Sequence, residues 1–161
     1  MCLIANDEDR MIELREPLIV YKVMLGFNKK PPGQKPEYML KTPYMNYGLQ
    51  LGEKAQTTMS TKKFRAFIAG RICGTSYHGQ YNITEGAYHS FPSIGECRPA
   101  WAYFYRRYVV YGTNELPLIV RCVIPAWSGI VKGVNDDSMP CIASNRITLM
   151  EIIPIPDEFK K

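Results

Sequence analysis

The sequence predicts an α+β fold: one twisted, mostly antiparallel sheet packed against one main helix, in a single domain spanning residues 1–161. Three observations lead there. Leu18 to Leu25 and Leu118 to Ile124 are apolar runs of strand length, rich in β-branched residues. Trp101, Phe104, Tyr105 and Tyr108 recur at helical spacing. Gly and Pro divide the rest into short segments, with no internal repeat, low-complexity tract or interdomain linker.

Composition agrees with that class. A chain of 161 residues can bury one core without staples, and 46% apolar with 22% charged residues is the balance of a soluble globular protein. Asp, Arg, Pro or Lys interrupts every apolar run before it reaches membrane-spanning length, so no membrane association is expected. Tyr, with 11 copies, needs a partner for each hydroxyl and belongs at core edges or interfaces, which favours a protein partner or a homo-oligomer. The net charge of +5 reads as a solvated surface. A sharper reading is a basic face for phosphate, with Lys62, Lys63, Arg65 and Arg71 close in sequence and Arg106 beside Arg107. No run is dense enough to argue nucleic acid, which is not an expected partner. The five cysteines are odd in number, lack CxxC spacing and follow no signal peptide, so the expectation is reduced thiols in a protein that is not secreted. Asn82-Ile83-Thr84 has the form of a glycosylation acceptor and has no meaning without secretion.

In chain order, Cys2 to Ala5 is apolar and gives way to Asp7-Glu8-Asp9-Arg10. Leu18 to Leu25 is a strand entered through Pro17. Gly26 to Pro36, with Lys29-Lys30-Pro31-Pro32-Gly33, is a basic loop or hairpin tip, since paired prolines cannot donate to a ladder. Tyr38-Met39-Leu40 forms a short strand and Thr42-Pro43-Tyr44 a turn before Tyr47 to Gly52. Thr57 to Lys63 is polar and reads as loop, and Phe64 to Ile72 as a short strand or a helix turn. The wider stretch 53–76 is a strand, a helix or a lid. Tyr81 to Thr84 and Ala87 to Phe91 flank the turn at Glu85-Gly86. Ser93 and Glu96 have capping-box spacing. Pro99 is tolerated best in a first turn, so the regular helix begins near Arg98 and runs to about Tyr108. In the strand Leu118 to Ile124, Val120, Cys122 and Ile124 share one face, and Ile119, Arg121 and Val123 the other. Pro125 ends it. Ile130 to Gly133 is a short strand, Asn135 to Ser138 a turn, and Arg146 to Ile155 the closing strand, stopped by Pro154 and Pro156. The carboxy-terminal half thus reads as one β-α-β-β unit.

Met1-Cys2-Leu3, Tyr21-Lys22-Val23, Thr42-Pro43-Tyr44, Gly86 with Tyr88-His89-Ser90-Phe91, Val120 with Cys122, Ile124 and Pro125, and Ala143-Ser144 with Ile147 follow one another along the chain. In that series the chain resembles a group of small uncharacterised proteins of bacteriophages, large DNA viruses and some bacteria. It departs from their pattern at Ala87, at Tyr88 in place of Phe, and at Ala126-Trp127-Ser128 where a Lys-Gly turn is usual. The resemblance implies a viral protein located in the host cytoplasm or the virion, and assigns no chemistry. A more distant similarity is to ADP-ribosyltransferases of the polymerase-like type. Tyr88 to Phe91, the helix to Tyr108 and Ile119 to Ile124 match in order and spacing, and Tyr77-His78-Gly79 is similar to that family's Tyr-His-Gly. This similarity implies an ADP-ribosyltransferase-like fold and an NAD-derived nucleotide as ligand. The family's catalytic Glu has no counterpart where Ala143-Ser144-Asn145 stands.

Candidate chemistry is sparse. Loss of the initiator Met would leave Cys2 with its own α-amine as base, the arrangement of an N-terminal-cysteine hydrolase, but Cys2 also reads as the first apolar residue of a strand. His89 points away from Tyr88 and Ser90, and either meets a ligand phosphate or carbonyl or is satisfied inside the sheet. His78 and His89 are the only histidines and lack the close ligand pairs of a zinc site, so no metal is expected. The aromatic helix face of Trp101, Phe104, Tyr105 and Tyr108 reads as core, with a stacking platform as the alternative. Trp127, outside regular structure, either packs over a core edge or lines a ligand or partner surface. The leading expectation is a non-enzymatic viral accessory protein, virion-associated or counter-defence, that binds a macromolecule or a small ligand without a cofactor. The alternative is a nucleotide-binding protein whose cleft is lined by Tyr21, Lys22, His89, Ser90 and Ser144.

Overall fold

The computed structural model describes residues 3–6, 11–43, 48–52, 54–56, 60–73, 80–83, 87–110, 112, 114–135 and 137–161. The strands are β1 (Leu3–Asn6), β2 (Ile12–Glu13), β3 (Leu18–Asn28), β4 (Tyr38–Lys41), β5 (Gly48–Leu49) and β6 (Lys54–Gln56), then β7 (Gln80–Ile83) and β8 (Tyr88–Ser90). They end with β9 (Glu115–Ile124), β10 (Gly129–Val134), β11 (Pro140–Ser144) and β12 (Arg146–Ile153). The helices are α1 (Thr61–Cys73) and α2 (Arg98–Phe104). A 3₁₀ turn, Gly95–Cys97, leads into α2, a π-helix, Tyr105–Val110, continues it, and a last 3₁₀ turn covers Asp157–Lys160.

The α+β class holds and every described pairing of strands is antiparallel. The strands divide, however, into two sheets rather than one. The first runs β7-β1-β10-β11-β8, with β2 also on β10, and the second runs β5-β4-β3-β9-β12-β6. The expected β-α-β-β unit is therefore split: β8, β10 and β11 lie in the first sheet, β9 and β12 in the second.

Alternation along the strands builds four layers. Val20, Met24, Val120, Cys122, Ile124, Ile147 and Leu149 of the second sheet meet Tyr88, Ile130 and Ile142 of the first in one buried cluster. The opposite face of the first sheet, through Val131, Cys141 and Ala143, packs under Phe64 and Ile68 of α1. The opposite face of the second sheet, through Val23, Leu25 and Ile119, packs under Ala100, Trp101 and Phe104 of α2 and under Phe159. The spine is the β3–β9 ladder, in register from Leu18 opposite Ile124 to Phe27 opposite Glu115. A bulge at Met150 lets β12 bend along β9.

Several elements differ from the sequence reading. Thr61 to Lys63, read as loop, and Phe64 to Ile72, left between strand and helix turn, are one helix. Phe64, Phe67 and Ile68 have the one-face spacing that seats it on the first sheet. β3 continues through Gly26 to Asn28, because a Cβ at Gly26 would collide with Leu118 and the bare backbone lets the strand pass. Pro140–Ser144 is a strand of its own, separated from β12 by a bend at Asn145. At the helix, Glu96 accepts from the Ser93 backbone N–H at 3.0 Å, one half of a capping box.

Two of the passages between the sheets are neighbouring corners: Pro125–Ser128 from β9 to β10, and Asn145 from β11 to β12. Asn145 is fully buried. Its Oδ1 accepts from the Gly129 N–H at 2.9 Å, its N–H donates to the Gly129 carbonyl at 3.3 Å, and its Nδ2 donates to Thr61 Oγ1 at 3.2 Å. Opposite this, Tyr21 and Phe91 exchange backbone hydrogen bonds of 2.8 and 2.7 Å, tying the end of β8 to β3. Gly129 is held in a tight seat, since a Cβ there would lie 2.6 Å from Met11 Sδ and 2.8 Å from Phe64 Cδ1.

Asn145→Ala would leave the Gly129 amide without its side-chain acceptor and remove the link to Thr61. A loss of about 1–3 kcal/mol in urea unfolding at neutral pH is expected, with an unchanged m-value.

Candidate functional site

The sequence candidates fall into three places. Lys22, Ser90, Ser144 and His89 come together between and beneath the sheets. Lys22 shares a face with Val20 and Met24, so its chain crosses the inter-sheet space, and Nζ donates to the His89 carbonyl at 2.7 Å. Ser90 and Ser144 line the same interior face, donating to the carbonyls of Ile142 at 3.5 Å and Arg146 at 3.0 Å. His89 stands opposite Ala143, on the face that carries α1. All four are buried, none more than 8% exposed. This is a sealed polar cluster rather than an open cleft. Tyr21 points the other way, to the α2 side, where its ring packs half-buried beside Trp101 and Phe91. Cys2, His78 and the Tyr77–Gly79 motif lie outside the described residues.

The electrostatics of the cluster follow from burial. Desolvation lowers the Lys22 pKa, partly opposed by the thiols of Cys122 and Cys141. Desolvation, aided by the Lys22 charge, pushes His89 down to about 3, so its ring is neutral across the physiological range. Among the described residues neither ring nitrogen of His89 has a hydrogen-bond partner. Burial pushes the Cys122 thiol up to about 12 and the Cys97 thiol up as well, which keeps both protonated at neutral pH.

Trp127 occupies the second place, the β9–β10 corner. Its φ of 66° is left-handed, a conformation that costs a bulky L-residue about 1–3 kcal/mol. The surroundings hold it there: its N–H donates to the Leu14 carbonyl at 2.7 Å and its carbonyl accepts from Thr61 Oγ1 at 2.8 Å. The ring is 53% exposed, with the Arg15 guanidinium 4.8 Å from its centroid. Arg146 donates to the neighbouring Ala126 carbonyl at 3.2 Å.

The third place was singled out in the sequence only in pieces, as Arg106 in the basic-face reading and Trp101 and Tyr105 in the aromatic helix face. A groove of about 490 Å³ runs between α2, the start of the π-helix and the Asp157–Lys160 turn. Arg98, Arg106, Lys160 and Lys161 line it, with Trp101, Tyr105 and Phe159, and among the described residues no carboxylate side chain does. The rings are ordered: Trp101 stacks on Tyr105 at 5.0 Å and 26°, and lies 5.9 Å from Phe159. Trp101 Nε1 donates to the Pro117 carbonyl at 3.1 Å, fixing the floor to β9. Tyr105, read with the core, is 40% exposed at the rim. The signal was present in the spacing of Arg98, Ala102 and Arg106, four residues apart on one helical face. What sequence could not show is that Lys160 and Lys161 fold back beside them.

Among the described residues no group of three or more His, Cys, Asp or Glu side chains could hold a metal ion, and no helix is long and apolar enough to cross a membrane. Comparison of the chain with protein-family models, with curated proteins and with solved structures found no match.

The depressed His89 pKa sets a sign for stability against pH. Between about 3 and the unfolded value of 6.5 the unfolded chain binds the proton and the folded chain does not, so stability falls as pH falls through that window. From pH 7 to pH 4.5 the wild type is expected to lose about 2 kcal/mol more than His89→Leu in denaturant titrations, at about 1.4 kcal/mol per unit of pH. Equal losses in the two proteins would contradict a neutral buried imidazole.

Proposed function

We propose that the protein is a non-catalytic binding protein, and that the groove beside α2 takes a small anionic ligand with a planar ring, of the nucleotide class. One observation carries the reading: four cationic side chains surround a stacked aromatic floor, with no carboxylate side chain among them. Cations answer phosphate charge, and the exposed Tyr105 ring offers a face on which a base can stack. The volume falls within the range that holds drug-sized ligands. The π-helix adds support, because π-turns are rare and frequently occur at functional sites, and this one carries Tyr105 and Arg106. A binding role is favoured over catalysis by the burial of the interior cluster and by the protonated thiols of Cys97 and Cys122. The accessory role expected from the sequence is compatible with this surface, and so is an NAD-derived ligand.

Trp101 reports on the groove directly. In a Trp127→Phe background it is the sole tryptophan, and titration with ADP or NAD is expected to change its emission saturably, with inorganic pyrophosphate binding more weakly. Arg98→Glu with Arg106→Glu is expected to weaken ADP at least about tenfold, an effect that grows at low salt. No change with any of the three probes, or one indifferent to the charge reversals, would overturn the proposal.

A further inference from the structure

The β9–β10 corner is a second exposed surface, built from other elements than the groove. A tryptophan held in a left-handed conformation by backbone bonds to Leu14 and Thr61 cannot turn inward with the local chain, and its ring stays half in water. Arg15 lies against one face of the ring and is itself exposed. Thr61, bonded to the Trp127 carbonyl, is followed by the exposed Lys62 and Lys63 at the start of α1, whose first turn has no acid. Arg146 reaches the carbonyl of Ala126. Against these cations stand Glu16, exposed, and Glu13, which is engaged by Arg65 at 3.2 Å.

We propose that this corner docks an acidic segment of a partner protein, with Trp127 as the apolar anchor and Arg15, Lys62 and Lys63 as the charged rim. Trp and Arg are the side chains that most often dominate protein interfaces, and a fixed ring loses little freedom on binding. Among the described residues positive charge is in excess at the corner, and that selects an acidic partner. A single-stranded nucleic acid is the weaker fit, because such sites stack successive bases on several rings along an uninterrupted basic track. Among the described residues the corner presents one exposed ring, already covered on one face by Arg15, and Glu16 interrupts the cations.

Trp127→Gly tests this without threatening the fold, since glycine adopts positive φ freely. A random-peptide display library is selected on the wild-type protein after depletion on Trp127→Gly. The expected result is enrichment of peptides rich in Asp and Glu around an apolar residue. Their synthetic forms should bind the wild type and lose at least about tenfold in affinity against Trp127→Gly and against Arg15→Glu, with both variants melting near the wild type. The proposal is overturned if nothing is enriched over depletion, or if the enriched peptides lack acids. It is also overturned if a labelled oligo(dT) binds in a Trp127-dependent manner, which would make the corner a nucleic-acid surface. The outcome is independent of ADP binding in the groove.

Discussion

The buried amide of Asn145 is the constraint on which the architecture rests. Two antiparallel sheets face each other through an apolar layer, and two of the chain's crossings between them, Pro125–Ser128 and Asn145, are bonded to one another through Gly129. An apolar interface alone has no direction and would let the corners slide. Three directional bonds from one residue set the geometry: two to Gly129, which begins β10, and one to Thr61, which begins α1. In a dry interior such groups must be paired, and a fully satisfied polar hub specifies one arrangement among many compact ones. Thr61 passes the constraint on by holding the Trp127 carbonyl, so the strained tryptophan is a consequence of how the sheets are joined.

The same packing decides where binding can occur. The inter-sheet space carries a buried apolar cluster, and the polar side chains beside it make bonds that serve the fold. Lys22 ties β3 to the backbone of β8, Ser90 and Ser144 satisfy carbonyls at the strand ends, and on the opposite face of the first sheet the neutral His89 ring has no hydrogen-bond partner among the described residues. The burial of Lys22 lowers its pKa and disfavours its charge, so the cluster is a structural expense with a pH signature. The two surfaces proposed for binding lie outside it, where α2 and the last turn make a basic groove and the corner presents Trp127.

The strands that form the spine were legible because they are apolar on both faces and bounded by Pro. Leu18 to Leu25 and Leu118 to Ile124 each lie between two layers and therefore read as continuous runs. The start of α2 was legible from Pro99. The division into two sheets was not, because it depends on the turn of the chain at Asn145 and Pro125, and an Asn in an apolar stretch reads like any turn residue. α1 was half hidden because Lys62, Lys63 and Arg65 on its solvent face dilute the Phe64–Ile68 stripe. Of the candidate site, strand alternation puts Lys22, Ser90 and Ser144 on inter-sheet faces and His89 on the opposite face of β8, but alternation cannot tell a sealed interior from a cleft. The groove was missed because its cations come from segments more than fifty residues apart, at Arg98 and Lys160.

The account is tested most directly by amide hydrogen exchange at Gly129, read by NMR. If the Asn145 hub pins the sheets, the Gly129 amide exchanges only through global unfolding, as slowly as that of Val120 in the centre of β9. Exchange orders of magnitude faster than Val120, in a protein whose β9 remains protected, would show the corner opening by itself and would contradict the claim.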